Sequence, residues 1–377
     1  MKKILAILFY FSAFFMPWGS GMQLVIPHSS TIFPVLCVLI IAISLFFDKG
    51  SFNKWLPRDY KFFVYFVLIH TAVFIALTFD SELTENADGY MLGASSFGDS
   101  ITKFVLFFFY AGFLSKSLFL KYIDITRYSF FFILGFSLTI LLGGFSGGYT
   151  DPNAMAVDAL ISFALCLFLI KSITSDRIIK KVPYIVLSGI ALFAVIMSFS
   201  RGAMLTLAVL ALFILGSKYH IGKLFGYSLL LIGILCFVYI YFFPSEFKDL
   251  IEMRFDMKEA IESGGANRTF IWQAYLERWP YYFITGTGFQ NCPSVLKAHS
   301  AGVSFSLNYV THNQYLLYFV EQGLIGLILY LRYFFFGYKT VVKSNGPLFY
   351  LGIPFISYAV ATFFVNLSGG RTGVCFD

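Results

Sequence analysis

The chain has 377 residues, 58% of them hydrophobic and 12% charged, with a formal net charge of +7 and a mean hydropathy of +0.78. A water-soluble domain carries about 25% charged residues, and no soluble fold hides 49 Phe and 24 Tyr, so a soluble globular protein is excluded. The alternating pattern of an outer-membrane barrel is absent as well. What remains is helices, in which backbone N–H and C=O groups find partners inside lipid.

Eleven apolar stretches follow one another, read as spans 4–18, 24–47, 62–79, 101–120, 128–144, 156–170, 184–199, 202–217, 224–243, 313–336 and 347–365. A hydrocarbon core of about 30 Å asks for roughly 20 residues of helix. The first stretch opens with Met1-Lys2-Lys3, as a signal peptide would, but no clean small-residue cleavage site follows, so a retained first helix is expected. Span 156–170 is short and holds Asp158. Spans 184–199 and 202–217 meet at Ser200-Arg201-Gly202 with almost no loop. Between the ninth and tenth spans the polar segment 244–311 interrupts the series. The expected organisation is a transmembrane region 1–243, a long loop 244–311 with short amphipathic helices, and C-terminal transmembrane helices with a short tail, 312–377. The fold class is an all-α integral membrane protein of about 11–12 transmembrane helices.

Lys and Arg set the orientation. With the N-terminus in the cytoplasm, 18 of the 27 basic residues fall on cytoplasmic segments, and the long loop lies outside. The positive charge therefore reflects membrane anchoring and not nucleic-acid binding. There is no Cys/His spacing for zinc, no Walker-type loop and no repeat of 20–50 residues. Cys292 and Cys375 share the oxidising side, where a disulfide between them is one reading.

Several polar residues are out of place for a membrane protein. Arg201, in Ser198-Phe-Ser-Arg-Gly-Ala203, opposes the positive-inside trend at an outer turn. It reads either as a snorkelling or capping residue or as a bidentate partner for an anionic head group, with Ser200 beside it. In the loop, residues 267–279 read as a helix with Ile271, Tyr275, Leu276 and Trp279 on its apolar face. Arg268 falls in its first turn, flanked by Asn267 and Thr269. Gly286-Thr-Gly288 then makes a tight turn where backbone can approach a ligand. His312, in Thr311-His-Asn313, stands at the outer start of the tenth span. Imidazole suits proton transfer near neutral pH, although interfacial histidines commonly cap or pack. Glu321 lies nominally within the bilayer and has to face protein or water. Gly323 and Gly326 permit close helix contact. Asp151-Pro-Asn153 reads as a turn and helix cap, and Asp158 as a buried acid in want of a partner, an arginine being one.

The ordered set Ser198-Phe-Ser-Arg-Gly-Ala203, Arg268–Trp272 leading to Gly286-Thr-Gly-Phe289, and His312-Asn-Gln-Tyr-Leu316 followed by Glu321-Gln-Gly-Leu-Ile-Gly326 resembles the O-antigen ligase and polymerase family. Asp151-Pro-Asn153 fits the same pattern. The resemblance is firmest over residues 150–330. It implies a membrane glycosyltransferase fold of the GT-C-like kind with about twelve helices and a periplasmic long loop. The eleven spans counted here depart from that number. It also implies a metal-independent, inverting transfer of glycan from undecaprenyl diphosphate to an acceptor hydroxyl, with no cofactor. The catalytic residues it implies are His312 as base and Arg201 and Arg268 as cations for the leaving diphosphate. Asn313, Ser200, Asn267, Gly286, Gly288, Asp151, Asn153 and Glu321 would contact substrate. The implied partners are the lipid-linked oligosaccharide and the bilayer, with a chain-length regulator as a further one, and the implied place is the bacterial inner membrane. O-antigen polymerase is the expectation. A ligase acting on lipid A–core and a lipid-oligosaccharide flippase or other transporter are the alternatives.

Overall fold

The computed structural model describes residues 2–19, 21–22, 25–26, 29–47, 124–143, 149, 152–173, 178–216, 268–287, 292, 295–296, 311–343, 352 and 356–363. The expected spans 62–79, 101–120 and 224–243 and most of the loop 244–311 lie outside them. Among the described residues there is no strand. The helices are α1 (Lys2–Phe15), α2 (Ser29–Phe47), α3 (Ile125–Gly143), α4 (Pro152–Ser172), α5 (Val182–Met197), α6 (Arg201–Gly216), α7 (Arg268–Leu276) and α8 (Gln314–Lys343), and residues 356–361 add a short helical piece.

Helix α4 is the centre of the bundle. It packs on α5, α3 and α6, while α1 packs on α3 and α2. Between membrane helices the hydrophobic effect contributes little, so small side chains that admit close backbones carry the association. Ala156, Ala159 and Ala164 of α4 and Ala191 and Ala194 of α5 are buried in one such seam, with Leu160 and Val195 filling it. Pro152 starts α4 at the first helical position, where its missing N–H costs nothing. The result is a helix of 21 residues, longer than the 156–170 span read from hydropathy, because it starts earlier, at Pro152, and runs on through Lys171 and Ser172. Helices α3 and α4 are long and apolar enough to cross a membrane.

Asp158 finds its partner within this bundle. Its carboxylate accepts a 2.8 Å bond from the Tyr149 hydroxyl. Tyr149 stands just ahead of α4, and burial, then the Asp158 charge, pushes its hydroxyl well above the ordinary tyrosine value. It therefore stays a donor.

The expected tenth span is not one straight helix. Gly323 interrupts α8 with φ 66 and ψ −169. In an unbroken α-helix residues 318 and 330 would lie about 18 Å apart along the axis, yet the Tyr318 and Tyr330 rings stack with centroids 4.3 Å apart. Tyr315 reaches Tyr330 at 5.2 Å and Phe334 at 5.9 Å. The element is a helical hairpin with its tip at Gly323, a first arm 314–322 and a second arm 324–343.

Candidate functional site

Two turns hold Ser200 with Arg201 and His312 with Asn313, and both are built alike. The first joins α5 to α6. Ser198 closes α5, its hydroxyl donating to the Val195 carbonyl at 2.6 Å. Phe199 has φ 48, in the left-handed region that non-glycine residues avoid. Ser200 is the N-cap of α6, its hydroxyl accepting the Ala203 N–H at 3.3 Å and donating to Asn153 Oδ1 at 2.8 Å. Arg201 is then the first residue of α6. Ser200 and Asn153 are thus brought together, the start of α4 beside the start of α6.

The second turn precedes α8. Thr311 is buried, and its hydroxyl donates to the Asn313 carbonyl at 2.9 Å. His312, half-buried, has φ 48. Asn313 is the N-cap: its Oδ1 accepts the Tyr315 N–H at 2.9 Å and the Leu316 N–H at 3.1 Å. Its side-chain oxygen is committed to the helix end, which fixes the backbone from which the imidazole projects.

Long-range bonds fasten this second turn from two directions. The Trp272 indole N–H donates to the Thr311 carbonyl at 2.7 Å, across 39 residues of sequence. The Gln314 N–H, one of the donors a helix start leaves without an intrahelical partner, reaches the Thr362 carbonyl at 2.9 Å. The Tyr315 hydroxyl donates to the Ala359 carbonyl at 2.6 Å, and the Phe363 ring meets Trp272 edge-on at 5.6 Å. Sequence reading missed the roles of Trp272 and Thr362. Trp272 lies one helical turn after Arg268, a spacing that puts both on one face of α7, and this was the available signal. Nothing in the sequence marks Thr362.

Arg268 is the first residue of α7 and is partly buried. Trp272 therefore ties its helix to the His312 turn. The buried face of α7 is Ile271, Ala274 and Tyr275, set on Leu316, Leu317 and Val320 of the first arm of α8. Leu276 and Trp279, expected on that face, are exposed. The helix ends at Leu276, ahead of Pro280, and a tighter turn at Trp279–Tyr281 puts the later residues out of phase.

Gly286 is buried with φ 69, and a Cβ there would collide with the backbone of Glu321 and Gln322. A Cβ on Gly323 would collide with the Ile284 carbonyl. Two bonds lock the contact: Thr287 N–H to the Val320 carbonyl at 3.0 Å and Leu324 N–H to the Phe283 carbonyl at 2.8 Å. The close backbone approach expected at this glycine is thus made to the tip of the hairpin. Glu321 is only 5% exposed and interacts with the Cys292 thiol and Tyr275 from the loop. Burial and then the Glu321 charge push the Cys292 thiol well above its usual value. Cys292 is a free, buried thiol. Cys375, its expected disulfide partner, lies outside the described residues, as do Asn267, Gly288 and Asp151. Among the described residues no His/Cys/Asp/Glu cluster suits a metal ion.

The segment 356–363 links the α4–α6 core to the second turn. Ile356 packs on the α4–α6 core, while Ala359, Thr362 and Phe363 hold the His312 turn and Trp272.

Among the described residues two helices, α3 and α4, are long and apolar enough to span a bilayer, consistent with a helical membrane protein. Residues 186–331 match the family model described as O-antigen ligase, so this stretch bears out the O-antigen ligase/polymerase resemblance. The match contains Ser200, Arg201, Arg268, Gly286, His312, Asn313 and Glu321; Asn153 and the strut 356–363 lie outside it. Among curated proteins none matches the chain.

Proposed function

We propose that this protein is an O-antigen polymerase of the bacterial inner membrane, moving a growing glycan from undecaprenyl diphosphate onto the next lipid-linked repeat unit at the periplasmic face. The observation that carries the reading is the His312 turn. A non-glycine residue at φ 48 persists only where its surroundings over-determine it, and here Trp272, Thr311, Asn313 and Thr362 all do so. All of that arrangement except Thr362 lies inside the stretch matched to the O-antigen ligase family.

The chemistry asks for three things. The acceptor hydroxyl attacks the anomeric carbon and gives up its proton, for which His312 is the base. The anomeric C–O bond to phosphate breaks, and the diphosphate leaves with the electron pair. Arg268 and Arg201 are the cations that receive that charge. No metal or cofactor is invoked. Ser200 and Asn153 hold the start of α6 and with it the backbone of Arg201. Glu321, buried beneath the loop, supports the hairpin on which the turn stands.

The description of the matching family favours one second reading, a ligase that moves finished glycan to lipid A–core. A lipopolysaccharide gel of the native host lacking this gene separates the two. Polymerase predicts collapse of the ladder to core plus a single repeat unit. Ligase predicts loss of every repeat from the core, with long glycan left on the lipid carrier. An unchanged ladder rules out both for this surface glycan. Complementation with Arg201→Ala, Arg268→Ala or His312→Ala at normal abundance tests the site, and wild-type output from all three overturns it.

A further inference from the structure

The segment that follows α7 carries an apolar surface that the protein leaves uncovered. Leu276, Trp279, Tyr281 and Ile284 are all exposed, Tyr281 at 60% and Ile284 at 73%. Their neighbours turn the other way: Tyr282 is fully buried, and Tyr282 and Phe283 both pack edge-on against Phe319 of α8, at 5.2 and 6.1 Å. The Tyr282 hydroxyl donates to the Tyr275 carbonyl at 2.6 Å. The inward residues thus hold the outward ones in a fixed display.

This surface continues along the hairpin. The bond from Leu324 N–H to the Phe283 carbonyl sets Ile284 beside the start of the second arm. There Ile325, Ile328, Leu331 and Phe335 are exposed, at spacings of three, three and four residues that make one helical stripe. The stripe belongs to an apolar helix of a membrane protein, and lipid is what such a face meets. The polar pair Gln273 and Glu277, the amide of the first donating to the second at 2.8 Å, is exposed just ahead of Trp279, Tyr281 and Ile284. Polar and apolar exposure therefore change over along the segment, the arrangement of a piece of chain lying in an interface. Trp and Tyr are the side chains that favour that depth.

We propose that residues 279–284 are seated in the bilayer, in the acyl-chain region just below the headgroups, as an extension of the lipid-facing stripe of the second arm of α8. Part of the long loop is then a membrane-embedded foot, and α7, with Arg268 at its far end, stands on it. The proposal requires no particular reaction.

The test uses the full chain reconstituted in phosphatidylcholine vesicles whose acyl chains carry bromine, a contact quencher of tryptophan. Wild type is compared with Trp279→Phe, so that the difference reports Trp279. The expected result is loss of most of the Trp279 emission to brominated lipid, stronger for bromines near the headgroup than for deep ones, with little quenching by aqueous iodide. Quenching of Trp279 by iodide and not by brominated lipid overturns the proposal. An independent reading comes from Ile284→Cys carrying an environment-sensitive dye, with the native-cysteine protein as labelling control. Blue-shifted dye emission in vesicles supports the foot; emission typical of water overturns it. A blue shift that appears in detergent only as protein concentration rises assigns the surface to a second copy of the chain and overturns it too.

Discussion

The turn before α6 and the turn before α8 share a plan: a residue at φ 48, then a capping side chain, then the helix. They differ in where the functional candidate sits. In the first turn the strained residue is Phe199, and the candidate cation Arg201 comes after the cap, inside the helix. In the second the strained residue is the candidate itself, His312, ahead of the cap. At the first turn Ser198 and Ser200 bond nearby backbone and Ser200 also reaches Asn153, and the His312 turn is gripped by Trp272 and Thr362, both far away in sequence. A strained residue persists where its surroundings hold it, and at His312 two of those holds come from distant parts of the chain.

The largest effect that would break this comparison is on activity. His312→Ala is expected to lower glycan transfer by a factor of about 100 or more, while Phe199→Ala, at the matching position, leaves it within a few-fold; an in-membrane transfer assay with lipid-linked substrate reads both. Next come the glycines under the hairpin. Gly323→Ala or Gly286→Ala forces a Cβ into backbone at positive φ and is expected to cost on the order of 3 kcal/mol, seen as a lower thermal midpoint in detergent. The caps should sharpen the likeness. Ser200→Ala and Asn313→Ala are each expected to cost about 1 kcal/mol, with Asn313→Asp restoring most of it; denaturant titration measures this, and an indifferent Ser200→Ala would show that the first turn does not depend on its cap. The smallest effect is the most diagnostic. Phe199→Gly and His312→Gly both relieve left-handed strain and are expected to raise stability by up to about 1 kcal/mol, but only His312→Gly lowers transfer, by a factor of about 100 or more as His312→Ala does.

The sequence disclosed the parts of this arrangement that are local. Asp151-Pro-Asn153 read as a turn and helix cap and Ser200 as a small polar residue beside Arg201, and capping is chemistry within three or four residues. The apolar spans that the structure describes were likewise visible, because burial in lipid leaves its record in composition. The hairpin was not. Glu321-Gln-Gly-Leu-Ile-Gly326 sits between apolar runs, and hydropathy reads straight through a glycine. Its positive φ is imposed by the loop residues Phe283–Thr287 bonding on either side of it. Nor was the grip on His312 legible, since a tryptophan N–H and a carbonyl 39 residues apart leave no periodicity. Glu321 was recognised as needing shelter, and the shelter, Cys292 and Tyr275, comes from the loop.

The bond from Gln314 to the carbonyl of Thr362 also sets an order of events. A membrane protein is made and inserted from its N-terminus onward, so α4, α6, α7 and the His312 turn are all present before residues 356–363 have been synthesised. Until then the first donors of α8 lack this acceptor, the Tyr315 hydroxyl lacks Ala359, and Trp272 lacks the ring it rests against. The candidate site is finished by the last piece of the described chain to emerge, and a nascent protein stalled short of it holds every proposed reactive side chain without the strut that aims His312.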